Sequence, residues 1–217
     1  DINGFNGLHG RIIPTCFGIT IGNPNLHVIA FAGDGDTYSE GMGHFMQAGR
    51  YNTNMTLVVH DNQSFSLTTG QPTPTTQIGF KSKSEPFGEV NFPLNPILLA
   101  LDSNVSFIAR CNARNIEHTS QIIIKAMKHK GFSFIEIIQD CIIFNVEANN
   151  KEGMYFIDDN KDKKIADGLA REYDYNSRKG KIPLGVIYSE ERKMLSEEWP
   201  QLQNLINKKV GWKGLKR

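Results

Sequence analysis

The side chains best suited by type and spacing to do chemistry are the run Gly33-Asp34-Gly35-Asp36 and, further along, Asn62. Two glycines around an aspartate let a chain turn sharply and bring backbone N–H groups close to an anion. A helix starting just beyond would aim its first amides at the same place, which suits phosphate. A bound diphosphate needs its charge offset, and hard oxygen ligands around Mg2+ do that. Asp34 supplies a carboxylate, Asn62 a side-chain carbonyl, and Ser64 a backbone carbonyl two residues later. Asp34 and Asn62 lie about one strand-helix-strand crossover apart. An isolated Gly-Asp-Gly is usually only a turn, and an isolated Asn only a turn residue. The crossover spacing favours a metal–diphosphate site instead. A nucleotide-binding glycine loop would need a third glycine where Tyr38 stands. A phosphate-transfer Asp-x-Asp loop fits Asp34-Gly35-Asp36 but has Tyr38 where Thr or Val belongs, so a Mg2+-dependent phosphatase or phosphomutase is the rival reading.

These clusters need a frame to hold them. Residues 27–32 and 55–59 read as buried strands without polar alternation, each ending at one of the two clusters. Helices are expected over 11–21, 40–51, 96–101 and 116–130, with further strands over 105–110 and 132–138. The alternation implies an α/β fold, a parallel sheet with helices on both faces and ligands beyond the strands' carboxyl ends. Residues 63–96 show no periodicity, and a loop of that length inside a compact domain is usually functional. The expected organisation is a cofactor-binding domain over 1–145 and an extension over 146–217. That extension has a helix over 166–173, a strand over 184–188 and a helix over 200–208, packed on the domain or on a partner. The basic stretches 161–164 and 208–217 read as solvated surface.

Composition narrows the classes. With 217 residues, 39% apolar and 22% charged, the chain is an ordinary globular protein with a net charge of +1. That balance gives no reason to expect nucleic acid or an anionic membrane as partner. The apolar run 132–138 is too short to span a bilayer. Cys16, Cys111 and Cys141 show no disulfide spacing, so a reducing cytoplasm is expected. The first residue is Asp1, which reads as an internal start.

Leu8-His9-Gly10-Arg11, Gly33-Asp34-Gly35-Asp36, Gly43-His44-Phe45, Asn62 and the run from Leu67 to Thr75 occur in an order that resembles the β subunit of 2-oxoacid:ferredoxin oxidoreductases. His129 to Phe134, Gln139-Asp140-Cys141 through Asn145, and Ile182 to Val186 extend the likeness. It is nearly continuous over residues 7–145 and patchy beyond.

The resemblance implies the diphosphate-binding domain of the thiamine diphosphate fold. Asp34, the Asn62 side chain and the Ser64 carbonyl become Mg2+ ligands, and Gly33, Gly35 and Asp36 become the diphosphate cradle. Leu67 and Thr68 fall on a loop that contacts the cofactor. His9 and Arg11 fall in a motif near the reacting end of the thiazolium and are the catalytic candidates. Members of the family decarboxylate a 2-oxoacid, pass the acyl group to coenzyme A, and send electrons singly through iron–sulfur clusters to ferredoxin. An α subunit covers the pyrimidine and carries the activating glutamate, which sets aside Glu40 and Glu136. The pattern of the compact two-subunit group favours 2-oxoglutarate over pyruvate.

Two departures bear on this. The family often has Lys where Thr69 stands, and that Lys is associated with acidic substrate or coenzyme A. Its [4Fe–4S] cluster uses cysteines upstream of the His-Gly-Arg motif and one matched by Cys141, so the other ligands would precede Asp1. Cys141 also fits a small buried apolar residue at a strand end, and Cys16 and Cys111 read as core. A non-oxidative thiamine diphosphate decarboxylase or synthase is the alternative within thiamine enzymes, although it would place two cofactor domains in a chain with room for one.

Overall fold

The computed structural model describes residues 4–149 and 152–208. Its strands are β1 (Ile29–Gly33), β2 (Met55–Asp61), β3 (Phe107–Asn112), β4 (Phe132–Ile138), β5 (Met154–Phe156), β6 (Tyr173–Asp174), β7 (Lys179–Gly180) and β8 (Ile182–Ser189). Six of them form one sheet in the order β1-β2-β4-β3-β8-β5, while β6 and β7 pair as a small hairpin. The neighbours β1, β2, β4 and β3 are all parallel. Every residue of β4 is buried, as a strand covered on both faces requires.

Successive strand residues feed opposite cores. Leu57, Val59 and Phe134 pack with α1 (Ile12–Gly22), α2 (Met42–Tyr51), α3 (Pro96–Asp102) and α5 (Lys163–Arg171). Val58, Ala109, Ile135 and Ile137 pack with α4 (Ile116–Lys128) on the other face. Local chemistry starts these helices where the sequence says it should. The Asn95 side chain accepts from the Ile97 and Leu98 amides ahead of Pro96, and Asn115 accepts from the His118 amide.

The far edge of the sheet corrects the expected domain organisation. β8 runs antiparallel to β3, with Ile108 opposite Tyr188, and β5 pairs parallel to β8. The sheet is therefore mixed, and the boundary expected at 145/146 falls inside one sheet. The physical reason is burial: β8 is buried from Ile182 to Tyr188, and Ala166 and Ala170 of α5 join the core under α3. Such a strand has to be paired on both sides. Beyond it lie two short helices, α6 (Leu195–Glu198) and α7 (Pro200–Asn207). The basic stretch 161–164 is exposed, and residues 209–217 lie outside the described residues.

Among the described residues no helix is long and apolar enough to cross a membrane. Residues 62–95 form neither helix nor strand apart from one bridge between Phe65 and Gln71. They are nevertheless tightly hydrogen-bonded, and their contacts matter for the site.

Candidate functional site

β1 runs directly into a helical segment whose first full turn, Asp36–Glu40, is a wide π-helical one, a feature that recurs at functional sites. The β1–β2 register pairs Gly33 with His60, so Asp34 and Asn62 stand just past adjacent strand ends. Gly35 has φ −62° and ψ −44°, so it is helical and not a left-handed turn glycine. It must be glycine for another reason: a Cβ there would collide with the Phe65 ring. A Cβ on Gly33 would meet no protein atom within 4 Å and would project into an open cleft.

That cleft, about 680 Å3, is walled by residues 5–9, by Phe31 to Asp36, by His60, Asn62 and Gln139, and by Ser64 to Thr68. Asp34 lies in its wall only 2% exposed. Burial pushes its carboxyl up to about 6, against hydrogen bonds from Thr73, Thr75 and backbone amides that hold it down. Its partners are hydroxyls and amides, not a cationic side chain. A cation nearby would favour the charged form of such a carboxylate. The Asn62 Oδ1 accepts from the Ser64 amide at 3.1 Å, and its Nδ2 donates to Ser66 Oγ at 3.0 Å. The buried Ser64 hydroxyl has no partner among the described residues, which leaves a polar wall atom for a polar ligand.

One carboxylate and two carbonyls are hard donors that suit Mg2+ when a diphosphate supplies the remaining oxygens. Among the described residues no group of three or more His, Cys, Asp or Glu side chains could hold a metal unaided. The open space above Gly33, the Asp34 carboxylate without a cationic partner and the orphan Ser64 hydroxyl therefore fit Mg2+ held together with a diphosphate.

The other residues singled out from sequence take varied positions. Asp36 lines the cleft and ties down the N-terminal segment, accepting from the Gly10 amide at 2.6 Å and contacting His9 Nδ1 at 3.0 Å. Gly10 has φ +69°, and a Cβ there would strike Glu40, so this turn seats closely on the wide helical turn. His9 lines the cleft. Arg11 does not, because its guanidinium is drawn to the Gly10 and Glu40 carbonyls at 3.2 and 3.4 Å. Leu67 and Thr68 lie on the rim, with Leu67 94% exposed.

Cys141 is buried beside Ser66, with its Sγ 3.8 Å from the Ser66 hydroxyl. Burial raises its thiol, but the amides of Asn145, Phe144 and Ile143 and the Ser66 hydroxyl together bring it below the usual value. This nest of N–H groups favours a thiolate. Burial instead pushes Cys16 up to about 11 and Cys111 up to about 12, as core thiols. The described residues thus bring one cysteine to this place, which does not make a four-cysteine cluster.

Several members of the site were not singled out as site residues from the sequence, although Thr73, Thr75 and Gln139 fall in motifs that carry the family resemblance. Thr73 and Thr75 donate to Asp34 Oδ2 at 2.6 and 2.9 Å from within the aperiodic loop. His60 Nδ1 meets Gln139 Oε1 at 2.9 Å in the cleft wall, and the His60 ring stacks on Phe31. Glu136 is fully buried against Arg110 Nε at 2.7 Å and Tyr175, so it is committed to structure and does not line the cleft.

Known proteins resemble this chain over most of its length. Residues 1–137 match the thiamine pyrophosphate enzyme family, C-terminal TPP-binding domain. A 2-oxoacid:ferredoxin oxidoreductase subunit β from Saccharolobus solfataricus is 36% identical over 87% of this chain and 66% of its own length. A subunit β of oxidoreductase 2 from Aeropyrum pernix is 34% identical over 89% of this chain and 67% of its own. The chain belongs to this β-subunit family. It spans about two thirds of the length of these curated relatives. A solved 2-oxoglutarate:ferredoxin oxidoreductase from Magnetococcus marinus, with 2-oxoglutarate, coenzyme A and succinyl-CoA bound, shares its fold. The TM-score is 0.81 at 30% identity, covering 96% of this chain and 71% of that one.

Proposed function

We propose that this chain holds Mg2+ and thiamine diphosphate for a 2-oxoacid:ferredoxin oxidoreductase, with 2-oxoglutarate favoured over pyruvate. The observation that carries the reading is the pair Asp34 and Asn62 at adjacent strand ends over an open, glycine-floored cleft. In this reading Asp34, the Asn62 carbonyl and the Ser64 carbonyl hold the metal. Gly33 leaves room for the diphosphate, while Asp36 fixes the His9-Gly10 turn at the cleft mouth. Leu67 and Thr68 border the bound cofactor. When bound, the thiazolium supplies the electron sink that decarboxylation of a 2-oxoacid needs. The acyl group goes to coenzyme A, and two electrons leave one at a time for ferredoxin.

An α subunit completes the site. Support comes from the apolar rim, where Leu8 is 83% exposed and Phe5, Phe31 and Leu67 are also open to solvent. So many large apolar side chains around one cleft mark a surface that a partner covers. Cys141 is the one position offered here to an iron–sulfur cluster. The free cysteines suit a reducing cytoplasm.

The test is calorimetry of thiamine diphosphate with Mg2+ on the protein in its native assembly. Wild type should bind, and Asp34→Ala and Asn62→Ala should each abolish binding. Failure of the wild-type assembly to bind would sink the reading. Hydrolysis of a generic phosphoester that depends on Asp34 would favour the phosphatase instead.

A further inference from the structure

The loop between β2 and α3 has a face turned toward Asp34 that the proposed ligand set leaves out. Thr73 Oγ lies 2.6 Å and Thr75 Oγ 2.9 Å from the same carboxylate oxygen, Asp34 Oδ2, and all three side chains are buried. Two hydroxyl donors on one oxygen fix the rotation of that carboxylate. The proton directions can be assigned. Thr76 Oγ accepts from the Thr73 amide at 2.7 Å and donates to the Gln63 carbonyl at 2.8 Å. Thr76 therefore has no proton for Thr73, whose own proton goes to Asp34. Thr75 Oγ stands 2.9 Å from Asp34 and 2.9 Å from Asp61, and its single proton serves one of them at a time.

The same loop also grips the other half of the site. Gln63 lies between Asn62 and Ser64, is 1% exposed, and has φ +57°, a left-handed conformation that non-glycine residues rarely adopt. Its Nε2 donates to the Thr75 carbonyl at 2.8 Å, its amide donates to Asp61 at 3.1 Å, and its carbonyl accepts from Thr76 and from Asn145 Nδ2. Backbone strain of this kind persists only where the surroundings over-determine it. Residues 73–76 thus hold Asp34 by its side chain and the Asn62–Ser64 segment by its backbone.

We infer that Thr73 and Thr75 are positioning residues for the cation site, setting metal affinity through Asp34 without touching the metal. The inference rests on the proposed ligand role of Asp34. Outer partners that orient a ligand typically change metal affinity about 10–100-fold when removed. Thr73→Val keeps the shape and removes the hydroxyl that touches no second carboxylate, which makes it the cleaner of the two variants.

The experiment is a titration of the protein in its native assembly with Mn2+, alone and with thiamine diphosphate, followed by the electron paramagnetic resonance signal of the bound ion. Melting of the metal-free protein is recorded beside it, so that loss of fold is seen as such. Thr73→Val and Thr75→Val should each weaken Mn2+ binding roughly 10–100-fold. Thr73→Ser and Thr75→Ser, which keep the hydroxyl, should bind within a few-fold of wild type with an unchanged line shape. If Thr75→Val does not fold, because Asp61 also loses a partner, Thr73→Val decides alone. Valine variants that bind like wild type, or serine variants no better than valine, overturn the inference. Wild type that takes up Mn2+ but no thiamine diphosphate overturns the proposed function, and the hydroxyl comparison then stands on Mn2+ alone. Wild type that takes up neither overturns both.

Discussion

Glu136 and Asp34 are both buried acids, and their surroundings could hardly differ more. Glu136, in the middle of β4, lies directly opposite Arg110 on β3, and Tyr175 bonds to both. Asp34, at the strand end, has only hydroxyls and amides around it. Burial opposes the Arg110 charge, but Glu136 and Tyr175 more than offset that, so the mid-sheet charges are settled within the fold. Burial pushes the Asp34 carboxyl up, and among the described residues its hydrogen-bond partners are hydroxyls and amides. Glu136 has its cationic partner within the fold, whereas Asp34, in the proposed reading, takes one from outside.

The contrast can be broken most directly at Glu136. Replacing one member of a buried pair leaves the other unpaired, at a cost of about 3–5 kcal/mol. Glu136→Ala should therefore lose that much in denaturant unfolding, while the folded fraction still binds Mg2+ and thiamine diphosphate. Lost cofactor binding with unchanged stability would collapse the distinction.

Asp34→Asn should act in the opposite direction on the metal-free protein. The wild-type carboxyl is raised from 3.8 to about 6 on folding. Its favourable contribution is thus complete below about pH 4 and is lost as the pH rises through 6. At pH 7 the neutral variant should be more stable by about 3 kcal/mol, since each tenfold change in proton affinity on folding is worth about 1.4 kcal/mol. The gap should close near pH 4, and cofactor binding should be absent. Equal stability at both pH values would show that Asp34 is already neutralised within the chain.

The smallest effect is expected at Asp36, a partly exposed acid that holds the Gly10 amide and His9. Asp36→Ala should cost about 1 kcal/mol, the net worth of an ordinary hydrogen bond. A much larger loss would mean that this turn organises the cleft as strongly as Asp34 does.

How much of this was legible depended on whether the signal was local. Asp34 and Asn62 were readable because each follows a short apolar strand and because one crossover separates them. The central strands and helices were readable for the same reason, their period being written in consecutive residues. Gln63 was not, and Thr73 and Thr75 entered only within a motif of the family resemblance and without a role, because order in residues 62–95 comes from side-chain hydrogen bonds that leave no periodic trace. Pairing of Arg110 with Glu136 depends on the register of two strands, which no window of sequence contains. β5 was lost among charged residues, and β8 was visible as a strand but not as a member of the main sheet, since its partner lies about 80 positions earlier (Ile108 opposite Tyr188). Arg11 sits in a motif beside the cleft, but two backbone carbonyls hold its side chain elsewhere.

The bond from Arg110 to Tyr175 spans 65 positions, whereas the contacts of Asp34 with Thr73 and Thr75 span 39 and 41. On a ribosome the chain emerges from its amino end, so the surroundings of Asp34 can assemble well before the mid-sheet charges acquire their last partner. During that interval a nascent chain carries an Arg–Glu pair lacking its tyrosine and a β3 edge with no β8 against it. An unpaired edge of that kind invites pairing with another chain. Polypeptides that stall or are cut between Cys141 and Tyr175 should therefore possess the residues proposed to hold the metal yet be the ones most prone to aggregate.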